Sequence, residues 1–244
     1  MKLIVITSPQ FIGGEASYIT SMLRIGIDLV HLRKPDSSPH NCAKLLDAIP
    51  DELHRRIVIH YHHCLCEDYH LGGMHISPYH MSLALHRYGG TISRSCHSID
   101  EIASFKSSYD YLFLSPVFNS ISKQGYHSAF STAQLQEASH NGIIDNKVIA
   151  LGGVTAANLS QIHQLGFGGA ALLGDVWQHA GKHTFDEYID TIVNLKNSVF
   201  DNTSRLNNTE KDAKCDTSRI GITRFRHCKT EGYALCDTLT PNKE

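Results

Sequence analysis

The chain has 244 residues and a mass of 27.1 kDa, which fits one large domain or two small ones and excludes a large multidomain assembly. Hydrophobic residues make up 41% and charged residues 19%, a composition typical of a globular protein with a substantial core. The 22 Lys and Arg residues against 24 Asp and Glu residues leave a formal net charge of −2, so no broad basic field favours nucleic acid as a partner.

The sequence predicts neither a membrane span nor a signal peptide. No stretch approaches the roughly 20 apolar residues that cross a bilayer, and residues 1–7 lead directly into a strand pattern. We therefore expect a cytoplasmic protein without a membrane partner. Seven scattered cysteines favour reduced thiols, and 17 histidines raise metal binding and pH sensitivity as questions for individual positions.

Short apolar runs rich in β-branched residues recur along the chain, and helical patterns follow most of them. Because these runs are apolar on both faces, they are typical of a parallel sheet. Eight such units in about 200 residues predict a single small (β/α)8 TIM barrel. An open doubly wound sheet is the alternative, disfavoured by the number of strands and by the missing glycine fingerprint after the first one. The predicted strands are Leu3–Thr7, Asp28–Leu32, Ile57–Tyr61, Gly73–Ile76, Thr91–Ser95, Tyr111–Ser115, Lys147–Leu151 and Gly169–Leu173.

Two of the helices carry N-cap signals. Ser98 stands three residues before Glu101, which is the spacing of a capping box. Thr155 can cap a second helix, whose end is marked by Gly166. The apolar stripes are Ile99, Ile102 and Phe105 in the first of these helices and Leu159, Ile162 and Leu165 in the second.

Three other segments complete the expected organisation. A helix is predicted near Glu15–Ile25, and the short connection Cys64–Gly72 leaves room for only a turn of helix. From Asp201 to Glu244 the sequence is polar and lacks apolar periodicity. We therefore expect residues 1–200 to form the barrel and residues 201–244 to form a disordered tail.

The active site of a TIM barrel lies at the carboxyl ends of its strands, so the residues that follow each predicted strand are the first candidates. They combine cations, hydroxyls, imidazoles and glycines. As catalytic candidates we take His60, His97 and Lys123, and as substrate or phosphate-binding candidates Arg33, Lys34, Ser95, Ser122, Gly152, Gly153 and Gly174.

Two positions are predicted to hold anions. The turn at Gly152–Gly153 opens directly onto a helix, where backbone N–H groups and the helix dipole can bind a phosphate, although glycines needed only for a tight turn explain the same pattern. Arg33 and Lys34 form a second cationic position at a strand end. Lys123 lies in a polar loop that suits either a flap over an anionic substrate or an ordinary solvated surface.

The segment His60–Cys66 contains three histidines and two cysteines. If the strand continued, period-two alternation would place His60 and His62 on one face. No partner pair with common zinc spacing is evident, so imidazoles lining a pocket mouth are favoured over a structural metal. His97 fits either a proton shuttle or a hydrogen-bonded pocket wall.

Five motifs in order resemble the thiamine phosphate synthase and thiazole tautomerase (TenI) superfamily of small barrels. The resemblance covers about residues 1–198, and it implies a TIM barrel that acts in thiamine biosynthesis on small-molecule phosphates. The sequence leaves a homo-oligomer open. The motifs are Val30-His31-Leu32-Arg33-Lys34, Gly73-Met74-His75-Ile76, Ser93-Arg94-Ser95-Cys96-His97-Ser98, Asp110–Phe118 with Ser122-Lys123, and Val148–Val154.

The synthase branch of this superfamily couples hydroxymethylpyrimidine diphosphate to thiazole phosphate. The resemblance implies that Arg33, Ser95, Ser122 and Lys123 hold the diphosphate, and that Gly153 and the region near Gly174 hold the thiazole phosphate. It also implies Mg²⁺, yet His60-Tyr61 replaces the family's Asn-Asp pair and Ser77 follows the fourth strand without a carboxylate. Both expected Mg²⁺ carboxylates are therefore absent.

The tautomerase branch needs no metal and has a histidine after the third strand, which His60 matches. Its catalytic histidine after the sixth strand corresponds here to Pro116, which agrees with the synthase instead. We take a thiamine-phosphate synthase-like transferase as the expected activity. The alternatives are a tautomerase with a His60 or His97 base and a silent protein that binds a phosphate ligand.

Overall fold

The computed structural model describes residues 1–77, 89–119 and 128–199. Eight parallel strands form a closed barrel in chain order, in which β1 pairs with both β2 and β8. The predicted TIM barrel is confirmed, and the closure excludes the open sheet. The strands are β1 (Lys2–Ile6), β2 (Leu29–Leu32), β3 (Ile57–Ile59), β4 (Gly73–Ile76), β5 (Thr91–Cys96), β6 (Tyr111–Leu114), β7 (Val148–Leu151) and β8 (Gly169–Leu172).

Helices connect most of the strands. The bounds predicted for the first helix, Glu15–Ile25, are confirmed, and the Cys64–Gly72 connection holds one helix of four residues, as expected. The helices are α1 (Glu15–Ile25), α2 (Pro39–Asp47), α3 (Leu65–Asp68), α4 (Ile99–Phe105), α5 (Thr132–His140), α6 (Leu159–Gln164), α7 (Gly174–Trp177) and α8 (185–199), with 3-10 turns at Asp51–Arg56 and Ala156–Asn158.

The two predicted N-caps have different outcomes. The Ser98 hydroxyl accepts a hydrogen bond from the Glu101 amide at 3.1 Å, so the predicted cap of α4 is confirmed. Thr155 does not begin α6 directly, because the 3-10 turn Ala156–Asn158 precedes it. The Asn158 side chain accepts from the Thr155 amide and donates to the Gly153 carbonyl, which tightens this turn and delays the helix.

Strand alternation divides the interior into two regions. Every second strand residue packs outward against the helices, and the others point into the barrel. The inward cluster formed by β1 and β6–β8 is largely apolar and consists of Ile4, Ile6, Tyr111, Phe113, Ile149 and Ala171. The corresponding positions of β2, β4 and β5 carry the buried polar residues His31, His75 and Ser93. The polar half of the barrel interior therefore lies on the side of β2–β5.

The third strand is shorter than predicted. It ends at Ile59, and His62 has a left-handed backbone with φ of 57°. Since the extended conformation stops, His60 and His62 do not share a strand face, and the ring of His62 lies 2.8 Å from the Ser37 carbonyl oxygen instead.

Two other expectations concern the cysteines and the membrane. Cys42, Cys64, Cys66 and Cys96 are free thiols. Among the described helices, none combines the length and apolar composition that crossing a bilayer requires. The predicted tail at 201–244 lies outside the described residues.

Candidate active site at the mouth of the barrel

Three histidines from consecutive strands meet inside the barrel. His31 lies in β2, His60 directly after β3 and His75 in β4. The Nδ1 atom of His31 is 2.9 Å from Nε2 of His60, and its Nε2 atom is 2.8 Å from the hydroxyl of Tyr111. Hydrogen bonds at both nitrogens fix the orientation of the buried His31 ring.

His75 is held equally firmly. Its Nδ1 atom is 2.9 Å from the Ser93 hydroxyl and its Nε2 atom is 3.0 Å from the Ser95 hydroxyl. The His75 ring stacks on His60 with a centroid distance of 4.1 Å. The predicted phosphate ligand Ser95 thus has a defined partner inside the site.

Burial controls the protonation of these imidazoles. Desolvation lowers the pKa of His75 to about 3, and the pKa values of His31 and His60 also lie well below the ordinary value. The Arg33 cation lowers the pKa of both His60 and His75 further. All three rings are therefore neutral at pH 7, and they act as hydrogen-bonding groups rather than charges.

Arg33 follows β2 at the mouth of the barrel. Its amide donates to the Thr7 hydroxyl at 2.9 Å, and that hydroxyl donates back to the Arg33 carbonyl. These two bonds join the ends of β1 and β2. Arg33 thus lies at the mouth as a candidate anion-binding cation, and its charge acts on His60 and His75.

Lys34 occupies a different environment from the one expected. Its ammonium is only 1% exposed, lies 2.7 Å from the Glu15 carboxylate, and donates to the carbonyls of Ser8 and Gln10. These acceptors use all of its donors. Lys34 therefore ties α1 and the loop after β1 to the end of β2, and the structure does not bring it into the anion site predicted with Arg33.

The Gly152–Gly153 turn has the conformation that glycine permits. The φ angles are 91° and 65°, and a Cβ on Gly153 would lie 2.4 Å from the Asn119 carbonyl oxygen. Left-handed backbone and close packing against the loop after β6 explain both glycines. Phosphate binding at this turn stays a prediction.

The loops after β7 and β8 are held together. The Asp175 carboxylate accepts from the Ala156 amide at 3.1 Å and from the Tyr188 hydroxyl. Gly174 begins α7 one residue before Asp175. This contact brings the start of α7 beside the turn that follows Gly153, so the two predicted phosphate-binding glycines belong to one region.

The remaining candidates lie elsewhere. His97 is exposed, and its Nδ1 atom is 3.0 Å from the Ser115 carbonyl oxygen, while its amide donates to Glu101. It thus lies outside the three-histidine cluster, and its role stays a prediction. Ser122 and Lys123 lie outside the described residues.

The sequence analysis missed His31, His75 and Tyr111 as members of the site. A usable signal was present, because His31 stands two residues before Arg33 and Ser93 stands two residues before Ser95. Residues at this spacing in a strand point to the same face. Strand alternation counted backwards from the strand ends would have extended the site into the barrel.

The donor set does not fit Mg²⁺. This ion prefers hard oxygen ligands, usually with at least one carboxylate. At the ends of β3 and β4 the chain offers His60-Tyr61 and Ser77, and the described side chains gathered at β2–β5 are imidazoles and hydroxyls. The described residues at the ends of β3 and β4 therefore offer Mg²⁺ no carboxylate.

Fold and site together define a small TIM-barrel enzyme with its candidate active site at the carboxyl ends of the strands. A family model described as thiamine monophosphate synthase matches residues 3–176. The chain belongs to the thiamine monophosphate synthase family.

Individual relatives agree with this assignment. The thiamine-phosphate synthase of Latilactobacillus sakei is 26% identical over 169 residues, which are 64% of this chain and 75% of that protein. The crystal structure of the thiamine phosphate pyrophosphorylase from Bacteroides thetaiotaomicron is 38% identical, covers 81% of this chain and 98% of its own, and has a TM-score of 0.72. The thiamine phosphate pyrophosphorylase of Pyrococcus furiosus, at 18% identity and a TM-score of 0.66, covers 81% of this chain and 96% of its own and shares the fold. These names describe transferases.

Proposed function

We propose that this chain couples hydroxymethylpyrimidine diphosphate with thiazole phosphate. The bond between the pyrimidine methylene carbon and the diphosphate oxygen breaks, and diphosphate leaves with the electron pair. The lone pair of the thiazole nitrogen then forms the new carbon–nitrogen bond, giving thiamine phosphate. No oxidant or proton donor is needed for this exchange.

Membership of the synthase family is the observation that carries the proposal. The main demand of the reaction is stabilisation of negative charge on the departing diphosphate. Arg33 supplies a cation at the mouth, close enough for its charge to act on His60 and His75. Ser95 supplies a hydroxyl already oriented by His75. We assign diphosphate binding to Arg33 and Ser95, with Ser122 and Lys123 as further ligands from the loop after β6.

The second substrate is assigned to the other side of the mouth. The thiazole phosphate would bind at Gly153 and Gly174, which the contact from Asp175 to Ala156 holds in one region. Backbone N–H groups of this turn would donate hydrogen bonds to the phosphate. The two phosphate groups then lie at different strand ends, with the pyrimidine and the thiazole between them.

The electrostatics of His60 disfavour the tautomerase alternative. A general base works best when its pKa is near the operating pH, and burial keeps the pKa of His60 well below the ordinary value. His60 is therefore a weak base at neutral pH. We expect His60→Ala to leave any tautomerase activity unchanged, and a strong loss measured by proton exchange on the thiazole would contradict this argument.

The direct test is incubation of the purified protein with both substrates. Thiamine phosphate is measured by oxidation to its fluorescent product, with Mg²⁺ and with a chelator in parallel, and thiazole phosphate binding is measured by calorimetry. Product formation supports the proposal. Binding of thiazole phosphate without product would contradict it and indicate a silent binder.

Two arginine variants sharpen this test. Arg33→Met should lower the coupling rate by about 100-fold, the usual cost of removing one group that stabilises developing negative charge. Arg24→Met is the matched control, because Arg24 is exposed and its ion pair among the described residues is with the exposed Glu52. Equal rates in the two variants would remove Arg33 from the diphosphate site.

A further inference from the structure

We propose that His31, His60 and His75 form a binding site for one divalent metal ion that prefers nitrogen ligands. One ligand nitrogen from each ring lies within 4.8 Å of the others. The three rings come from adjacent strands, where backbone pairing holds His31 against Val58 and His75 against Ser93, and the His60 amide donates to the Leu32 carbonyl. The site is independent of which reaction the protein catalyses, since binding is measured without substrates.

The distance between His31 and His60 is close to that between two ligands of one ion, and the other pairs of ligand atoms lie within 4.8 Å. Zinc–nitrogen bonds of 2.0–2.1 Å in tetrahedral geometry place two ligand atoms about 3.3 Å apart. Nδ1 of His31 and Nε2 of His60 are 2.9 Å apart and share one hydrogen-bonding proton, which the metal would replace. His60 must turn from its stacked position on His75 for both rings to aim at the same ion.

The surroundings resemble the outer shell of a metal site. A metal-bound histidine normally uses its second ring nitrogen as a hydrogen-bond donor, and this partner fixes the ring orientation. For His31 the partner is the Tyr111 hydroxyl at 2.8 Å. For His75 there are serine hydroxyls at both ring nitrogens, so one remains a partner when the other gives way to the metal.

The donor chemistry decides the kind of metal. Imidazoles suit Zn²⁺ and neighbouring transition metals, whereas Mg²⁺ requires oxygen ligands. Three protein ligands leave a fourth position open in catalytic zinc sites. Because coordinating imidazoles are neutral ligands, a bound divalent ion keeps its positive charge, and an anion such as a diphosphate would fill that position. The site would thereby bind the same chemical group as Arg33.

The experiment uses the full chain stripped of metal with a chelator. Zn²⁺ is titrated by calorimetry, and Co²⁺ replaces it for visible spectroscopy, in which a tetrahedral nitrogen site absorbs more strongly than aqueous Co²⁺. We expect one tight site per chain. His60→Gln and His75→Gln should each weaken it by about 100-fold or more, since loss of an outer-shell partner alone costs 10–100-fold. His140→Gln, on the exposed face of α5, is the matched control and should bind like the wild type.

Tyr111→Phe provides a variant that keeps all three ligands. Removing its hydroxyl should weaken Zn²⁺ binding by about 10-fold. Circular dichroism confirms the fold of each variant, and if one ligand variant fails to fold, the other and Tyr111→Phe decide. The proposal is overturned if the wild type lacks a stoichiometric site, if Co²⁺ keeps its aqueous spectrum, or if the ligand variants bind as tightly as His140→Gln.

Discussion

The variant Lys34→Met tests whether Lys34 stabilises the fold or binds an anion. The structure favours the first role, and the position of Lys34 after β2 predicted the second. The Lys34 ammonium is 1% exposed, and the Glu15 carboxylate opposite is 2% exposed. The replacement keeps the apolar stem and removes the charge. Glu15 is then left as a buried carboxylate without its cation.

The expected loss follows from the burial of this pair. Removing one partner of a buried ion pair costs about 3–5 kcal/mol, because the remaining charge is uncompensated. For a domain of this size, 1 kcal/mol shifts Tm by about 2–4 °C. We therefore expect Lys34→Met to lower Tm by about 6–20 °C. The double variant Lys34→Met/Glu15→Leu should recover most of the loss, since it buries no lone charge and the carbonyls of Ser8 and Gln10 lie near solvent.

Thermal and urea unfolding of the single and double variants measures this coupling. Lys44→Met is the matched control, because Lys44 is exposed on α2 and should change stability by no more than about 0.5 kcal/mol. The reasoning is refuted if Lys34→Met keeps the wild-type Tm and instead weakens substrate binding. That result would return Lys34 to the anion site.

Three further predictions concern pH, the loop after β6 and the turn after β7. The pKa of His75 is 6.5 in the unfolded chain and about 3 in the folded protein. As the pH falls, the unfolded chain therefore takes up a proton at His75 before the folded protein does, so the free energy of unfolding decreases between about pH 6.5 and pH 3. At pH 5 this histidine alone should lower the free energy of unfolding, measured with urea, by about 2 kcal/mol relative to its value at neutral pH. A free energy of unfolding that increases below pH 6.5 would contradict this prediction. Lys123→Ala should abolish coupling while sparing thiazole phosphate affinity, and an unchanged rate would remove Lys123 from the diphosphate role. Gly153→Ala should destabilise the fold by more than the roughly 1–2 kcal/mol of left-handed strain, because the new Cβ would also meet the Asn119 carbonyl. Gly142→Ala is the control for strain alone, since Gly142 has a φ of 69° and its Cβ would meet nothing within 4 Å. Equal losses of stability in the two variants would show that the clash is absent.

The elements that the sequence predicted correctly depend on local signals. The bounds of α1, the cap at Ser98 and the apolar runs of the strands each reflect side-chain period or capping within a few residues. The errors occurred at element ends. The end of β3 at Ile59 accompanies a contact between His62 and Ser37, 25 residues apart. The 3-10 turn before α6 depends instead on the hydrogen bonds of the Asn158 side chain with Thr155 and Gly153, which the capping signal at Thr155 alone does not reveal.

The candidate site shows the same limit. Arg33 could be placed at the barrel mouth from its position after an apolar run, because a strand end is a local feature. Its neighbour Lys34 has the same signal, yet it pairs with Glu15, 19 residues earlier in α1. No local pattern predicts that contact, since the register of β1 against β2 and the docking of α1 decide it.

The amino-acid sequence by itself determined the eight-unit rhythm, the barrel class and the family, because each follows from periodicity and ordered short motifs. Only the tertiary structure decided which polar side chains meet. The pairing of β2, β3 and β4 places His31, His60 and His75 side by side, and their interaction depends on strand register and inward orientation. Side chains separated by tens of residues come within hydrogen-bonding distance only when these strands have paired in that register.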